Sequence, residues 1–259
     1  MEIGDEVEDV SAVVISLLAF ALILLSTGLG LILRHWLPER HLSGDSKDVI
    51  KLATALVGTM SALVIALLFA STRASYEATG SQVAHLTANV IELDRLLKDL
   101  GQDGTALRQL LRRDVQTLAD SIWKSEAAAM AGNAALAATE ELKVASKLRE
   151  VVAGDAVQRA VQTRALEVSN MLSQIQLGIY AQPSDSMSRP FVFLLVLWLC
   201  FIFATFAMSS APNPTLICVL FFCALSAASA VYLIMELGQP FDGLMQVQSA
   251  PLRHALPSL

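Results

Sequence analysis

Four long apolar runs, set as two pairs around a polar middle, dominate the hydrophobic pattern of this chain. The runs cover residues 10–33, 49–71, 190–208 and 215–235. A helix needs about 20 apolar residues to cross a hydrocarbon core about 30 Å thick, and each run has about that length. The pattern therefore predicts an all-α integral membrane protein whose four transmembrane helices form two hairpins.

The boundaries of these runs divide the chain into four parts. We expect an N-terminal tail with transmembrane helices 1 and 2 in residues 1–71, and a soluble helical region in residues 72–188. Transmembrane helices 3 and 4 follow in residues 189–236, and a C-terminal segment occupies residues 237–259. Acidic residues precede the first run, where a cleavable signal peptide would carry basic ones, so this run is predicted to stay in the mature chain.

The polar middle begins with a helical seam of heptad type. Its apolar residues recur at alternating spacings of three and four, which places them on one face of a helix. They are Val83, Leu86, Val90, Leu93, Leu97 and Leu100. Because no proline lies between residues 49 and 100, the second membrane helix is predicted to continue into this seam. The result is one rod of about 50 residues, roughly 75 Å long, that ends at Gly101.

Two more amphipathic patterns follow in the polar middle. One starts at about Thr105, and the short link 101–104 predicts that it packs antiparallel to the seam. Its apolar face comprises Leu107, Leu111, Val115, Leu118 and Ile122. The other starts at Asp155, which has capping-box spacing with Gln158. Its stripe comprises Val157, Val161, Ala165, Val168, Leu172, Ile175 and Ile179. Between them, the alanine-rich stretch 127–138 has little to bury and is predicted to be the least constrained part.

Composition and motifs exclude several classes of protein. Hydrophobic residues make up 54% and charged residues 16% of the 259 residues, which is too apolar for a soluble domain of this size. The net charge of -6 reflects five acids among the first nine residues, since 24 less these five leaves 19 acids against 18 bases. No basic patch predicts nucleic-acid binding. Nucleotide-binding, serine-hydrolase and zinc-protease motifs are absent, so we expect no enzyme activity and no cofactor.

The second run carries the candidate functional residues on one helical face, with small and polar side chains at one end and bulky apolar ones at the other. The pore-lining candidates are Thr54, Gly58, Ser61, Ile65, Leu68 and Phe69. In one interpretation, small residues let neighbouring helices pack closely, and the hydroxyls bond to their own backbone. In the other, copies of this helix surround a pore that a ring of Ile65 and Phe69 closes. Taken alone, the residues favour packing, and the pore is the alternative.

An acidic turn follows the fourth run. Glu236 and Asp242 lie six residues apart around Pro240 and Phe241, at the predicted membrane boundary. Carboxylates on a turn are ligands for a hard cation, but calcium prefers about 6 to 8 oxygen ligands. We therefore name these two acids as a candidate cation-binding turn, with a solvated helix end as the favoured interpretation, and expect no metal site elsewhere.

Several short segments resemble a known family. They are residues 34–38, 48–52, 93–97, 122–123, 236–243 and 250–256. Over nearly the whole chain they resemble a bacterial membrane-protein family described as bestrophin-like. The more distant similarity to bestrophins, which are pentameric anion channels, implies a helical insert between two helix pairs and a pore lined by the second helix. Residues 240–243 match the segment that follows the fourth bestrophin helix, but lack the acidic run of its calcium clasp.

The resemblance implies a function that the residues alone do not. We expect an anion-conducting, homo-oligomeric channel in a bacterial plasma membrane, with a pentamer implied by the resemblance. Its partners would be the lipid bilayer, further copies of the chain and small inorganic ions. The alternative is a non-conducting membrane scaffold or sensor whose helical region binds a partner. Arg34, Arg40 and Lys47 favour a cytoplasmic first loop and a helical region outside the cytoplasm, opposite to the bestrophin topology.

Overall fold

The computed structural model describes residues 12–36, 45–123, 143–152, 154–181, 189–210, 213–241 and 243–255. These residues form helices joined by turns and contain no strand, which confirms the predicted all-α fold. In chain order the helices are α1 (Ala12–Trp36), α2 (Asp45–Asp99), α3 (Gln102–Trp123), α4 (Lys143–Glu150), α5 (Ala156–Ala181), α6 (Arg189–Ser209), α7 (Pro214–Leu237) and α8 (Ala250–Arg253).

Among the described residues, four helices are long and apolar enough to cross a membrane. They are α1, the first part of α2, α6 and α7, which confirms the predicted number and order of spans. The longest helix, α2, runs for 55 residues without interruption, so the predicted single rod is also confirmed. Pro214 opens α7, where its missing N–H removes no helical hydrogen bond.

The described chain divides into two compact units. The membrane unit contains the residues up to 75 and residues 189–239, and so holds α1, α6, α7 and the first part of α2. The helical unit contains residues 76–181 and 240–255, and so holds α3, α4, α5, α8 and the rest of α2. The segment that follows α7 therefore belongs with the helices of the polar middle.

In the membrane unit, α1 and α6 run in the same direction and approach closely. The Ser26 hydroxyl donates to the Cys200 carbonyl at 2.6 Å. One turn further along both helices, Gly30 faces Ala204, and a Cβ added at Gly30 would overlap the Ala204 carbonyl. Small residues at these two positions of α1 thus let the two backbones meet, as is common between membrane helices.

The apolar core of the membrane unit is formed by α1, α6 and α7. Its buried members are Ala19, Ile23, Val192, Leu195, Leu199, Phe203, Ala207, Leu220, Ala224, Val231 and Ile234. Phe20 and Phe221 add an edge-to-face contact between α1 and α7, with ring centroids 5.7 Å apart. These three helices therefore hold one another in place through both backbone approach and side-chain packing.

In the helical unit, α2 and α3 form the predicted antiparallel hairpin. Every residue of the predicted seam and of the predicted α3 face is buried, which confirms both patterns. The predicted start of α3 at about Thr105 is wrong by three residues, because the helix begins at Gln102. Gly101 reverses the chain with a φ of 73°, a conformation that favours glycine. Gly104 then sits against the Leu97 carbonyl, where a Cβ has no room.

A largely buried ion pair joins α2 to α3. Arg108 Nε donates to Asp94 Oδ1 at 2.7 Å, and Arg108 Nη2 donates to Asp94 Oδ2 at 3.0 Å. Bidentate pairs of this kind are among the stronger charge-assisted hydrogen bonds. The hydrogen bond to Asp94 raises the pKa of the Arg108 guanidinium, so the arginine stays charged. The pair fixes the register of the hairpin.

A short helix that the sequence pattern did not predict, α4, is capped at both ends by its neighbours. The Val144 N–H donates to Asp114 Oδ2 of α3 at 2.9 Å. Gln162 Nε2 of α5 donates to the Leu148 and Val151 carbonyls, both at 2.8 Å. These bonds satisfy backbone groups that a helix end otherwise leaves unpaired. Eight residues are too few for a periodic pattern to identify such a helix.

The start of α5 confirms its predicted cap. The Gln158 N–H donates to Asp155 Oδ1 at 2.7 Å, and Gln158 Oε1 accepts from the Gly154 N–H at 2.8 Å. The predicted stripe is buried at Ala165, Val168, Leu172 and Ile179. Val157 is wrong as a stripe member, because it lies in the first turn, beyond the core, and is 71% exposed. The alanine-rich stretch 127–138 lies outside the described residues.

Candidate functional site on the second helix

The face of α2 that carries the pore-lining candidates packs mainly within its own chain. Thr54 and Ser61 are only 4% and 2% exposed. Ile65 and Leu68, further along the same face, are partly buried and pack against the core of the membrane unit. The structure thus buries these four candidates in whole or in part among neighbouring residues of the same molecule.

The other two candidates lie at the edge of this face. Gly58 is half-buried, and a Cβ built on it would meet no atom within 4 Å. Phe69 is 43% exposed. Both positions are therefore accessible from outside the chain.

The two buried hydroxyls of α2 have different surroundings. Thr54 Oγ1 lies 2.8 Å from the Ile50 carbonyl and 3.2 Å from Thr205 Oγ1 of α6. Ser61 Oγ donates to the Val57 carbonyl at 2.8 Å, one turn earlier in α2. Bonding of a hydroxyl to its own helix is what the packing interpretation expects. The pore-lining role of the six candidates stays a prediction.

Most of the remaining circumference of α2 in the membrane unit is exposed. Large apolar side chains form one stripe: Leu52, Leu56, Leu63 and Leu67. Small side chains form a second, which we call the alanine stripe: Ala55, Ala62, Ala66 and Ala70. Only 11% of the most apolar window of α2 is buried, against 22% for α1, 28% for α7 and 44% for α6. Of the four spans, α2 is therefore the least covered by its own chain.

Two packing contacts of the membrane unit were not predicted from the sequence. Ser26 and Gly30 have the same small-xxx-small spacing as Thr54 and Gly58, so the same criterion would have found them. Thr205 is a single hydroxyl within an apolar run, and such a residue gives no signal of its own. Its role becomes visible only because the fold brings it to Thr54.

The structure describes one of the two acids of the candidate cation-binding turn. Glu236 is only 3% exposed in the last turn of α7, and the Tyr232 hydroxyl hydrogen-bonds to its carboxylate. The expected solvated helix end is therefore wrong for Glu236, because burial and this donor replace water around it. Asp242 lies outside the described residues. In the described part of the chain, no three acidic, histidine or cysteine side chains cluster as metal ligands would.

The Pro-Phe turn after α7 docks on the end of α3 in the helical unit. Trp123 Nε1 donates to the Val247 carbonyl at 2.7 Å. The rings of Trp123 and Phe241 meet edge to face, with centroids 5.7 Å apart. The Val247 N–H donates to the Pro240 carbonyl at 2.7 Å and closes the loop between them. The turn thus serves as a structural attachment to α3.

The residues beyond this turn extend the attachment. Arg253 pairs with Asp120 of α3 at 2.8 Å, and Leu252 is fully buried in the core of the helical unit. Because this segment and α3 share one unit, the two spans between them, α6 and α7, must return the chain to the same side of the membrane. The docking therefore agrees with two membrane crossings, α6 and α7, between α3 and the C-terminal segment.

Comparison with known proteins places the chain in a family. A family model described as Bestrophin-like domain matches residues 20–252, which is most of the chain. Comparisons with curated proteins and with solved structures gave no significant match. The match and the four apolar spans together establish a multi-pass membrane protein whose spans contact lipid.

Proposed function

Since the chain belongs to the Bestrophin-like family, we propose that it forms an oligomeric membrane channel for small anions, with α2 of each copy beside the pore. The single observation that carries this proposal is the exposure of α2, the span least covered by its own chain. An uncovered span can face lipid, but α2 also presents the alanine stripe. Small residues in a row allow the helices of adjacent copies to approach closely.

We propose that Phe69 forms the narrowest part of the pore. It is the one large side chain among the six candidates that is exposed, and it lies beside the alanine stripe. A ring of phenylalanines from several copies makes an apolar constriction of the kind that closes by dewetting. Thr54, Ser61 and Leu68, on the buried face, then hold α2 against its own chain.

The proposal is tested by reconstituting the full chain into planar bilayers and recording chloride current. Phe69→Ala should widen the constriction and raise the basal conductance severalfold. Leu67→Ala, which truncates a more exposed side chain on the large apolar stripe, is the matched control and should leave the conductance unchanged. A monodisperse monomer in mild detergent, measured by light scattering, would overturn the proposal, and so would the absence of current from every variant.

A second function is favoured by a different observation. The helical unit has an apolar core of its own. A unit that folds around its own core can bind a partner without contributing to a pore, as a scaffold or sensor requires. An oligomer that inserts correctly but carries no current under any condition would favour this second function over the channel.

A further inference from the structure

The contact between Thr54 and Thr205 is the polar link that holds the membrane part of α2 to α6. Among the described side chains of residues 48–72, it is the one hydrogen bond that reaches another helix. The other hydrogen bonds described for these side chains stay within α2. The rotation of this part of α2 about its axis therefore depends on one hydroxyl pair, together with apolar contacts.

The geometry of the Thr54–Thr205 pair favours one orientation of α2 and lets the hydrogen bond break at little cost. Thr205 Oγ1 lies 2.8 Å from the Ile202 carbonyl and 3.0 Å from the Phe201 carbonyl. Thr54 Oγ1 has the Ile50 carbonyl at 2.8 Å. The two hydroxyls hold two protons, so when one donates across the interface the other still donates to its own helix. When the helices separate, both hydroxyls keep a backbone acceptor, and no buried donor is left unpaired.

The neighbouring contact of α6 with α1 is built differently. Ser26 donates to the Cys200 carbonyl, and Gly30 touches the Ala204 backbone, so that α1 and α6 fit at the level of main chain. Rotating α1 would drive atoms into one another, whereas rotating α2 breaks one hydrogen bond and shifts the apolar contacts of Ile65 and Leu68. Helix α6 is thus a fixed support, and α2 is positioned on it by Thr205.

We propose that Thr205 is a positioning residue for the proposed pore helix. Its hydroxyl, paired with Thr54, sets the rotation of α2 and hence the direction in which Phe69 and the alanine stripe face. The positioning itself follows from the geometry of one chain. Its effect on current rests on the proposed channel function.

The experiment measures the distance between spin labels on α2 and α6 by pulsed electron paramagnetic resonance. Labels at Leu63→Cys and Leu197→Cys occupy exposed positions, in a full-length chain whose three free cysteines are replaced by alanine. Dilution with unlabelled chain keeps one labelled copy in each assembly. Rotation by about 30° at a radius of about 5 Å would displace a label by roughly 2–3 Å.

Five variants separate positioning by the hydroxyl pair from general packing. Thr205→Val and Thr54→Val should each shift or broaden the distance distribution, and the double variant should add nothing further, because both changes remove the same bond. Thr205→Ser keeps the hydroxyl and should restore the original distribution. Thr59→Val is the matched control, since Thr59 Oγ1 bonds only to the Leu56 carbonyl of its own helix.

An unchanged distribution in both valine variants would overturn the proposal, whatever the current. Shifts that add independently in the double variant would also overturn it, and so would a serine variant that behaves like valine. If the distributions respond as expected but no variant, nor the unmodified chain, conducts, then the positioning role stands and the channel function fails.

Discussion

The two halves of α2 bury opposite kinds of side chain on the same helical face. In the helical unit, this face carries Leu86, Leu93 and Leu97, all fully buried. In the membrane unit, it carries Thr54 and Ser61, which are nearly as well buried, while the leucines of that half lie mostly outside. One continuous helix thus buries hydroxyl-bearing side chains in its membrane half and leucines in its other half.

The difference follows from what surrounds each half. The polar sequence of the helical unit predicts water around it, where apolar side chains gain free energy by burial, so leucine and valine form the buried seam. Lipid tails are as apolar as leucine, so this force is absent in the membrane, and close packing and hydrogen bonds decide what is buried. In the membrane half, a small or hydroxyl-bearing residue therefore marks a packed interface. In the helical unit, a leucine marks it.

Truncating a leucine in each half gives the largest expected contrast. Leu93→Ala removes a fully buried side chain of the seam and should lower the free energy of unfolding by about 2–5 kcal/mol. Leu63→Ala removes a side chain that is 72% exposed and should change it by no more than about 0.5 kcal/mol. Denaturant unfolding of the full chain in detergent, followed by circular dichroism, measures both. Equal losses would show that the two halves do not differ as described.

Alanine at two neighbouring glycines of α1 tests whether close backbone packing holds the membrane helices together. A Cβ at Gly28 would meet no atom within 4 Å, so Gly28→Ala should gain helix propensity of up to about 1 kcal/mol. A Cβ at Gly30 would overlap the backbone of Ala204, so Gly30→Ala should instead cost about 1–3 kcal/mol through overpacking. The same unfolding measurement compares them. If both variants are stabilised, backbone approach does not hold α1 to α6.

Removing the Ser61 hydroxyl should cost less stability than Leu93→Ala or Gly30→Ala. It bonds to the Val57 carbonyl of its own helix, and alanine fills nearly the same volume, so Ser61→Ala should cost no more than about 1 kcal/mol. Ion permeability ratios in bilayers should also stay unchanged, because Ser61 is buried within its own chain. A changed selectivity among anions would instead return Ser61 to the pore lining.

Most of the fold could be predicted from the sequence because its two strongest signals are long and periodic. The four apolar runs identified the spans, and spacings of three and four located the seam that contains Leu93. The contact between Thr205 and Thr54 could not be predicted, since Thr205 is the one hydroxyl of its apolar run and periodicity carries no contrast there. Which side of the membrane holds the helical unit stays a prediction from Arg34, Arg40 and Lys47.

Helix α4 and the attachment of the last residues were out of reach for a different reason. Asp114 and Gln162 cap α4 from helices distant in sequence, and Trp123 meets Val247 across more than a hundred residues. No local pattern records such pairs. The short segments that carry the family resemblance include residues 122–123 and 236–243, but they did not indicate that Trp123 and Phe241 touch.

The burial of Leu252 in the helical unit has a consequence for the order in which the molecule is made. The other members of that core, from Leu86 to Ile179, leave the ribosome first, and the two spans α6 and α7 follow before Leu252 is translated. The core of the helical unit can therefore be completed only after the last hairpin, α6 and α7, has been made and inserted. A nascent chain whose final spans fail to enter the bilayer keeps an open apolar surface, which is the feature that chaperones and proteases bind.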